Sequence, residues 1–133
     1  MGFPRYIVVI ALALLCALTP AHAEKRVALV VGNGAYRHAD RLTNPINDAR
    51  GMRDALAALG FDVTYGEDLD GQSLRRAIGQ FADRVGDADV AMVYFAGHGA
   101  TFSDTPYVVP VDAEFSSLGQ VAYELVPVET LIG

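Results

Sequence analysis

Three apolar runs alternate with two stretches of helical periodicity along the first part of this chain. The apolar runs at 26–31, 61–65 and 90–95 predict β-strands, and the first and third contain so few polar residues that both faces are expected to be buried. The stretches at 44–59 and 70–85 repeat apolar residues every three or four positions, as amphipathic helices do. This order predicts an α/β fold in which helices cover a mostly parallel sheet through right-handed crossovers.

Capping residues mark the ends of the two predicted helices. Asn44 is expected to cap the first helix, with Pro45 at the first helical position, and Gly60 is expected to end it. Asp70 or Ser73 is expected to cap the second helix. The predicted buried faces consist of Ile46, Ala49, Met52, Ala55, Leu56 and Leu59 on the first helix, and Leu74, Ile78, Phe81 and Val85 on the second.

The pattern becomes irregular after residue 99. Residues 101–105 are polar and turn-like, 107–109 are apolar, and 121–126 suggest another short strand. Residues 127–130 are typical of the first turn of a helix. A domain does not normally end on such a turn, so the sequence from 24 to 133 is expected to be part of a domain rather than all of it.

The N-terminal residues have the pattern of a secretory signal peptide. A short basic start is followed by an apolar run at 6–18 and by the small-x-small sequence Ala21-His22-Ala23. The run is short for a membrane span. The sequence therefore predicts a signal peptide over 1–23 and a secreted or periplasmic bacterial protein with no stable membrane anchor after cleavage; an uncleaved inner-membrane anchor is the alternative.

Composition narrows the classes of partner and cofactor. The chain after residue 23 has 9 basic and 16 acidic residues, a net charge of −7 that argues against binding to nucleic acid or anionic lipid. It contains no cysteine and two histidines, so neither a disulfide framework nor a zinc site is expected. No cofactor is expected. The acidic residues Glu67, Asp68 and Asp70 raise calcium as an alternative, but a solvated turn is the favoured interpretation.

A candidate catalytic residue lies at the end of the third predicted strand. His98 follows residues 90–96 directly, between Gly97 and Gly99. Ligands collect at the carboxyl ends of parallel strands, and a histidine there can transfer protons near neutral pH. The alternative is a loop histidine without a role. The G-x-G at 32–34 lacks the third glycine and the adjoining helix of a dinucleotide-binding turn, which excludes that function.

Four segments resemble the caspase-like cysteine peptidases, and specifically their bacterial metacaspase-like branch. They read R-V-A-L-V-V-G-N-G-A-Y at 26–36, L-T-N-P-I-N-D-A-R-G-M at 42–52, A-L-G-F-D-V at 58–63 and Y-F-A-G-H-G at 94–99. The run Y-V-V-P-V-D at 107–112 is similar to the one that follows the family's histidine strand. The resemblance implies a three-layer sandwich with a mostly parallel sheet between helices, and peptide-bond hydrolysis by a cysteine–histidine dyad.

The resemblance also assigns roles to three residues. It implies that His98 is the catalytic histidine and that Gly99 supplies a backbone N–H to the oxyanion hole. Asp48 matches the aspartate that helps metacaspases bind a basic P1 side chain of a peptide or protein substrate; stabilisation of a helix N-terminus is a compatible alternative. Leu42 stands where animal caspases have an arginine that holds an aspartate, so aspartate specificity is not expected.

One element of the family's chemistry is absent from this sequence. No cysteine follows His98, and Cys16 lies in the predicted signal peptide. Ser103 and Ser116 are in turn-like contexts and are not expected to be nucleophiles. The sequence therefore predicts a caspase-like endopeptidase chain that carries the histidine without the cysteine and is inactive as written. A non-catalytic caspase-like interaction module is the alternative, and a small α/β protein with a coincidental G-H-G is the third interpretation.

Overall fold

A computed structural model describes residues 22–114, 117 and 119–132 of the chain. Residues 1–21, which hold nearly all of the predicted signal peptide, and Ser116 lie outside the described residues. In the described part of the chain, no helix combines the length and the apolar character that crossing a membrane requires. The elements in chain order are β1 (Arg26–Gly32), α1 (Pro45–Ala58), β2 (Phe61–Glu67), α2 (Gly71–Val85), β3 (Val90–Ala96), β4 (Gly99–Phe102), β5 (Thr105–Val108), α3 (Val121–Glu124), β6 (Val126–Pro127) and α4 (Glu129–Ile132).

The first three strands form a parallel sheet in the order β2-β1-β3. Arg26 at the start of β1 lies opposite Phe61 and Val90, so the three strands begin at one level. At the other end Gly32 pairs with Ala96 of β3. The predicted α/β fold with a parallel sheet and helices is therefore confirmed.

The central strand β1 buries side chains on both faces of this sheet. Ala28 and Val30 pack with Ala49 and Leu56 of α1. On the opposite face Leu29 and its neighbours Val27 and Val31 pack with α2 residues Leu74, Ile78 and Phe81. Side chains of a strand alternate between faces, so a strand between two helices needs apolar residues at every position. This explains the unbroken apolar run at 27–31.

The third strand departs from the prediction that both of its faces are buried. Ala91 is exposed, and Met92 retains 36% of its accessible surface. Within the described residues β3 pairs with β1 alone, so it is an edge strand of this sheet. An apolar run shows that a strand favours burial, but only the neighbouring elements determine how much of it is covered.

The helices largely follow their predicted faces, with three corrections. Ala55, predicted to be buried, is exposed on α1. Leu59 is 61% exposed, because α1 ends at Ala58 and Leu59 lies in the turn that follows. Asn44 has helical backbone angles and makes no capping hydrogen bond with its side chain, whereas a cap normally requires an extended backbone. Asp70 does have the extended conformation, and its carboxylate accepts the Ser73 N–H at 2.8 Å.

The chain after His98 forms a second, antiparallel sheet in the order β4-β5-β6. Strands β4 and β5 are joined by a two-residue turn, Ser103 and Asp104, which both have positive φ as type I′ hairpins require. The prediction of a turn over 101–105 was thus correct only at its centre. The predicted strand at 121–126 is wrong: the short helix α3 occupies most of it, and β6 has two residues.

Candidate active site

The site lies where β1 and β3 end at the same edge of the parallel sheet. Because Gly32 and Ala96 are register partners, the loops that follow them leave the sheet side by side. The Asn33 N–H donates to the Ala96 carbonyl at 2.8 Å and extends the pairing by one residue. His98 lies two residues after Ala96 and is half-buried. It therefore lies at the carboxyl end of β3, as the sequence pattern indicated.

The His98 side chain is held by a backbone carbonyl. Its Nε2 lies 2.7 Å from the carbonyl oxygen of Asp40, in the loop between β1 and α1. A carbonyl oxygen only accepts hydrogen bonds, so in the neutral ring Nε2 carries the proton and Nδ1 presents a lone pair. A histidine in this tautomer can accept a proton at Nδ1 and release it again.

The His98 backbone is fixed on both sides. Its N–H donates to the Tyr36 hydroxyl at 2.8 Å, and its carbonyl accepts the Val109 N–H at 3.1 Å. The Tyr36 and His98 rings lie 4.5 Å apart between centroids. The histidine is therefore attached through Val109 to the segment that follows β5 and through Tyr36 to the loop after β1.

The two glycines beside His98 have different surroundings. A Cβ atom at Gly97 would lie 2.5 Å from the Tyr36 hydroxyl oxygen, so a side chain there would have to displace that hydroxyl. A Cβ at Gly99 would lie 3.5 Å from the Tyr107 carbonyl oxygen, an ordinary contact distance. Gly99 is exposed at the first position of β4, so its backbone is accessible from solvent. Glycine at 97 thus leaves room for the Tyr36 hydroxyl, whereas at 99 the protein itself leaves room for a Cβ atom.

Asn33 connects three loops beneath the site. Its side chain is fully buried, and its amide group donates to the carbonyls of Leu69 and Val109, both at 3.3 Å. Its side-chain oxygen accepts the Leu69 N–H at 2.9 Å. The segments that follow β1, β2 and β5 are consequently joined by one side chain.

Asp68 fixes the turn after β1. One of its carboxylate oxygens accepts the N–H groups of Gly34 and Ala35, each at 2.8 Å. These residues also border a cavity of about 210 Å³ whose walls comprise Gly34, Ala35, Arg41, Leu42, Ile46 and Asp68. The cavity adjoins the same loop whose Asp40 carbonyl holds His98.

Asp48 lies on the first turn of α1 and does not line this cavity. Gly32 contacts that turn directly, since a Cβ there would be 2.6 Å from the Pro45 carbonyl, so the N-terminus of α1 meets the edge where β1 ends. The Asp48 side chain is exposed, and among the described residues it forms no hydrogen bond or ion pair. The structure thus brings Asp48 to the same edge as His98 without a contact between them.

The three acidic residues considered for calcium already have protein partners. The Arg50 side chain donates two hydrogen bonds to Glu67, at 2.6 and 2.9 Å, and the Tyr65 hydroxyl donates a third at 2.6 Å. The bonds from Arg50 and then Tyr65 lower the pKa of Glu67 to about 2. Asp70 caps α2, and across the residues described no group of three or more His, Cys, Asp or Glu side chains is arranged to hold a metal ion.

Sequence reasoning assigned no role to Tyr36, Asn33 or Asp40. Tyr36 had one signal, a large aromatic residue in a turn otherwise made of small and polar residues. Asn33 had a weaker one, as a polar residue directly after a buried strand. Asp40 gave none, because it acts through its carbonyl group, which every residue has.

The chain is similar in sequence to known proteins. The caspase domain family, peptidase C14, matches residues 25–129 of the chain. The human mucosa-associated lymphoid tissue lymphoma translocation protein 1 is 33% identical over 91 residues, which cover 68% of this chain and 11% of that protein. The mouse homolog is 31% identical over 91 residues, with the same coverage. The chain thus matches only about a ninth of the length of these relatives.

The family match covers well over half of the chain and includes both β1 and the site around His98. This chain belongs to the caspase family. Its sheet in the order β2-β1-β3, with helices packed on both faces of β1, is compatible with a fragment of that family's α/β sandwich. Members of the family are cysteine proteases as a class, so proteins are the general kind of substrate or partner to consider for this one.

Proposed function

We propose that this chain is the histidine-bearing part of a caspase-like cysteine endopeptidase, in which His98 transfers the proton. The observation that carries the proposal is the 2.7 Å contact between His98 Nε2 and the Asp40 carbonyl. It leaves Nδ1 to accept the proton of a cysteine thiol and then to donate it to the leaving amine. The Gly99 N–H is the proposed donor to the oxyanion that forms on the substrate carbonyl.

The proposed nucleophile is a cysteine encoded outside these 133 residues. None follows His98 in the sequence, and Cys16 falls in the proposed signal peptide. The decisive experiment has two stages, the first of which reads the gene beyond the codon for Gly133. The proposal expects an apolar strand that ends in Asp-x-Cys within about 50 residues of His98, the spacing of caspases.

The second stage assays the full-length product on a peptide library. His98→Ala is expected to reduce kcat by roughly a thousandfold or more, because the proton carrier is lost. The matched control is His38→Ala, since His38 is an exposed histidine that pairs with Glu114 at 3.2 Å and lies outside the site. Equal losses in the two variants would refute the assignment of His98.

Asp48 is the proposed determinant of a basic P1 preference. Asp48 is an exposed carboxylate without a partner in the described part of the chain, and its helix begins at the edge of the site, so it is available to bind an Arg or Lys side chain. Asp48→Asn is expected to lower kcat/KM for peptides with Arg at P1 about tenfold and to leave neutral P1 residues unaffected. Asp54→Asn is the control, because Asp54 is on the same helix and pairs with Arg53.

A bacterial, metacaspase-like, exported protein is the proposed biological form. The support is the signal-like pattern over 1–23 and the resemblance noted in the sequence. N-terminal sequencing of the protein recovered from the periplasm or medium is expected to begin at Glu24. A cytoplasmic protein that begins at residue 1 would refute this part of the proposal.

A non-catalytic caspase-like module that binds peptides or protein partners is the second candidate. These 133 residues hold a histidine of the family's dyad but no cysteine after it, a combination that suits binding as well as catalysis. A stop codon directly after Gly133 would support this function over peptidase activity. The test is then binding of basic and acidic peptides by calorimetry, in which His98→Ala should have little effect.

A further inference from the structure

We propose that Tyr36 is a positioning residue for His98: its hydroxyl fixes the backbone of the histidine, and its ring fixes the plane of the imidazole. This inference rests on the proposed role of His98 and adds a residue to it. Tyr36 lies in the loop after β1 and is 4% exposed. It precedes His98 by 62 residues in the sequence.

The hydroxyl of Tyr36 connects two polar groups at the end of the site. It accepts the His98 N–H at 2.8 Å and donates to the Val109 carbonyl at 3.1 Å. Burial raises the pKa of Tyr36 to about 12, so the hydroxyl keeps its proton at neutral pH and remains able to donate. Because the Val109 N–H in turn donates to the His98 carbonyl, the histidine is held at both its N–H and its carbonyl.

The ring of Tyr36 limits the orientation of the imidazole. The two ring centroids are 4.5 Å apart with 54° between the planes, a tilted contact. The imidazole therefore lies against the Tyr36 ring while Nε2 reaches the Asp40 carbonyl. Rotation of the imidazole away from this position would lose both contacts together.

The local sequence is built around this contact. A Cβ at Gly97 would lie 2.5 Å from the Tyr36 hydroxyl oxygen, so glycine at 97 makes room for the hydroxyl. Phenylalanine at 36 would fill the same volume, yet it would leave the His98 N–H and the Val109 carbonyl without this partner. Filling the core therefore accounts for an aromatic ring at 36. The hydroxyl is accounted for by the hydrogen bond that it accepts from the His98 N–H.

The test is nuclear magnetic resonance of the full chain labelled with nitrogen-15, comparing Tyr36→Phe with the unmodified protein. Long-range proton–nitrogen spectra report the His98 tautomer at a pH where the ring is neutral. We expect the Nε2–H form to dominate in the unmodified protein. In Tyr36→Phe the Nδ1–H form should increase about fivefold, and the His98 amide should exchange with solvent about fivefold faster, as expected from one lost hydrogen bond.

Tyr94→Phe is the matched control. Tyr94 is a half-buried tyrosine of β3 whose hydroxyl has no hydrogen-bond partner among the described residues, so its removal should leave both readouts unchanged. Gly97→Ala is a second, independent variant that keeps Tyr36 and displaces its hydroxyl. It should change the tautomer in the same direction, which keeps the proposal testable if Tyr36→Phe fails to fold.

An unchanged His98 tautomer in a folded Tyr36→Phe protein would overturn the proposal and leave Tyr36 as a core residue only. In the full-length peptidase, Tyr36→Phe should lower kcat about tenfold with KM unchanged, and an equal loss in Tyr94→Phe would also count against it. An inactive full-length protein with the expected tautomer shift would refute the peptidase function alone, because the positioning of His98 is measured without catalysis.

Discussion

The two sheets of this molecule differ in how they are stabilised. The parallel sheet has strands of seven residues, and its centre, β1, is covered by helices on both faces. The antiparallel sheet has strands of four, four and two residues, and several of its side chains are exposed. The core on one face of β1 also includes Val108 and Val126 of the antiparallel sheet, so the two sheets share that cluster. The parallel sheet is the scaffold, and the antiparallel sheet lies around the end of β3, where His98 lies.

A few polar side chains hold the second region to the first. Asn33 contacts Leu69 and Val109, and the Asp112 carboxylate accepts the Gly71 N–H at the start of α2, at 2.8 Å. Hydrogen bonds are directional, so they set the relative position of the two sheets more sharply than apolar contacts would. The comparison implies that core changes affect overall stability most, while polar changes at the junction affect the site.

The largest effect is expected from the core of the parallel sheet. Leu29 is 1% exposed, and Leu29→Ala should lower the free energy of unfolding by about 3 kcal/mol, from lost burial and the cavity left behind. Val108→Ala in the second sheet should cost less, about 1.5 kcal/mol for two methyl groups. Urea denaturation measures both values. The control Met92→Ala, at a 36% exposed position, should change stability by under about 1 kcal/mol.

The next effect is expected at the junction between the sheets. Asn33→Ala removes three hydrogen bonds and leaves the half-buried Leu69 N–H and the buried Val109 carbonyl without this partner, so it should cost about 2 kcal/mol. Urea denaturation again provides the measurement. Asn47→Ala, at an exposed asparagine of α1, is the control and should have no measurable effect. Similar losses in both variants would mean that Asn33 does not connect the sheets.

A smaller effect on stability is expected at the two predicted helix caps, Asp70 and Asn44. Asp70→Ala removes the acceptor of the Ser73 N–H and should lower the Tm by about 4 °C, with Asp70→Ser restoring most of the loss. Asn44→Ala should leave the Tm unchanged, because Asn44 makes no capping hydrogen bond. Calorimetry on the three variants is sufficient. A loss in Asn44→Ala equal to that in Asp70→Ala would support the original sequence interpretation.

The pH dependence of stability tests the outer strand β2 of the parallel sheet, which ends at Glu67. The Arg50 and Tyr65 bonds lower the pKa of Glu67 from 4.5 to about 2, so they stabilise the charged carboxylate in the folded state. This contribution is fully present above about pH 4.5 and is lost as the pH falls towards 2. In urea titrations at several pH values, Glu67→Gln should show a shallower loss of stability over that interval. An unchanged slope would contradict the Glu67–Arg50 pairing.

The smallest effect on the fold itself is expected at the edge of β3. Met92→Lys should leave the stability of the monomer within about 0.5 kcal/mol, yet it should reduce self-association, since a charged residue on an edge strand disfavours edge-to-edge pairing. Light scattering across protein concentrations measures this. Leu59→Lys is the control, as Leu59 is exposed in a turn rather than on a strand edge. Equal reductions would show that general hydrophobicity, rather than the β3 edge, drives association.

The residues whose contacts are local were predicted best. The cap at Asp70 and the buried face of α2, with Leu74, Ile78 and Phe81, follow from neighbours within one or two helical turns. Leu59 and Asn44 were predicted wrongly because each belongs to a helix end, where a change of one residue in the boundary alters exposure and capping. The stretch 121–126 was predicted as a strand since its apolar residues fit either a strand or a short helix, and periodicity does not separate the two at this length.

The amino-acid sequence by itself determined the order of strands and helices, the buried run of β1 and the position of His98 at the end of β3, because these depend on apolar periodicity and on residues close together in the chain. The tertiary structure alone decided which groups surround that histidine. The Asp40 carbonyl, the Tyr36 hydroxyl and the Val109 N–H come from distant segments. They converge on His98 only when the parallel register aligns the ends of β1 and β3, and backbone groups carry no signature in the sequence that would identify them beforehand.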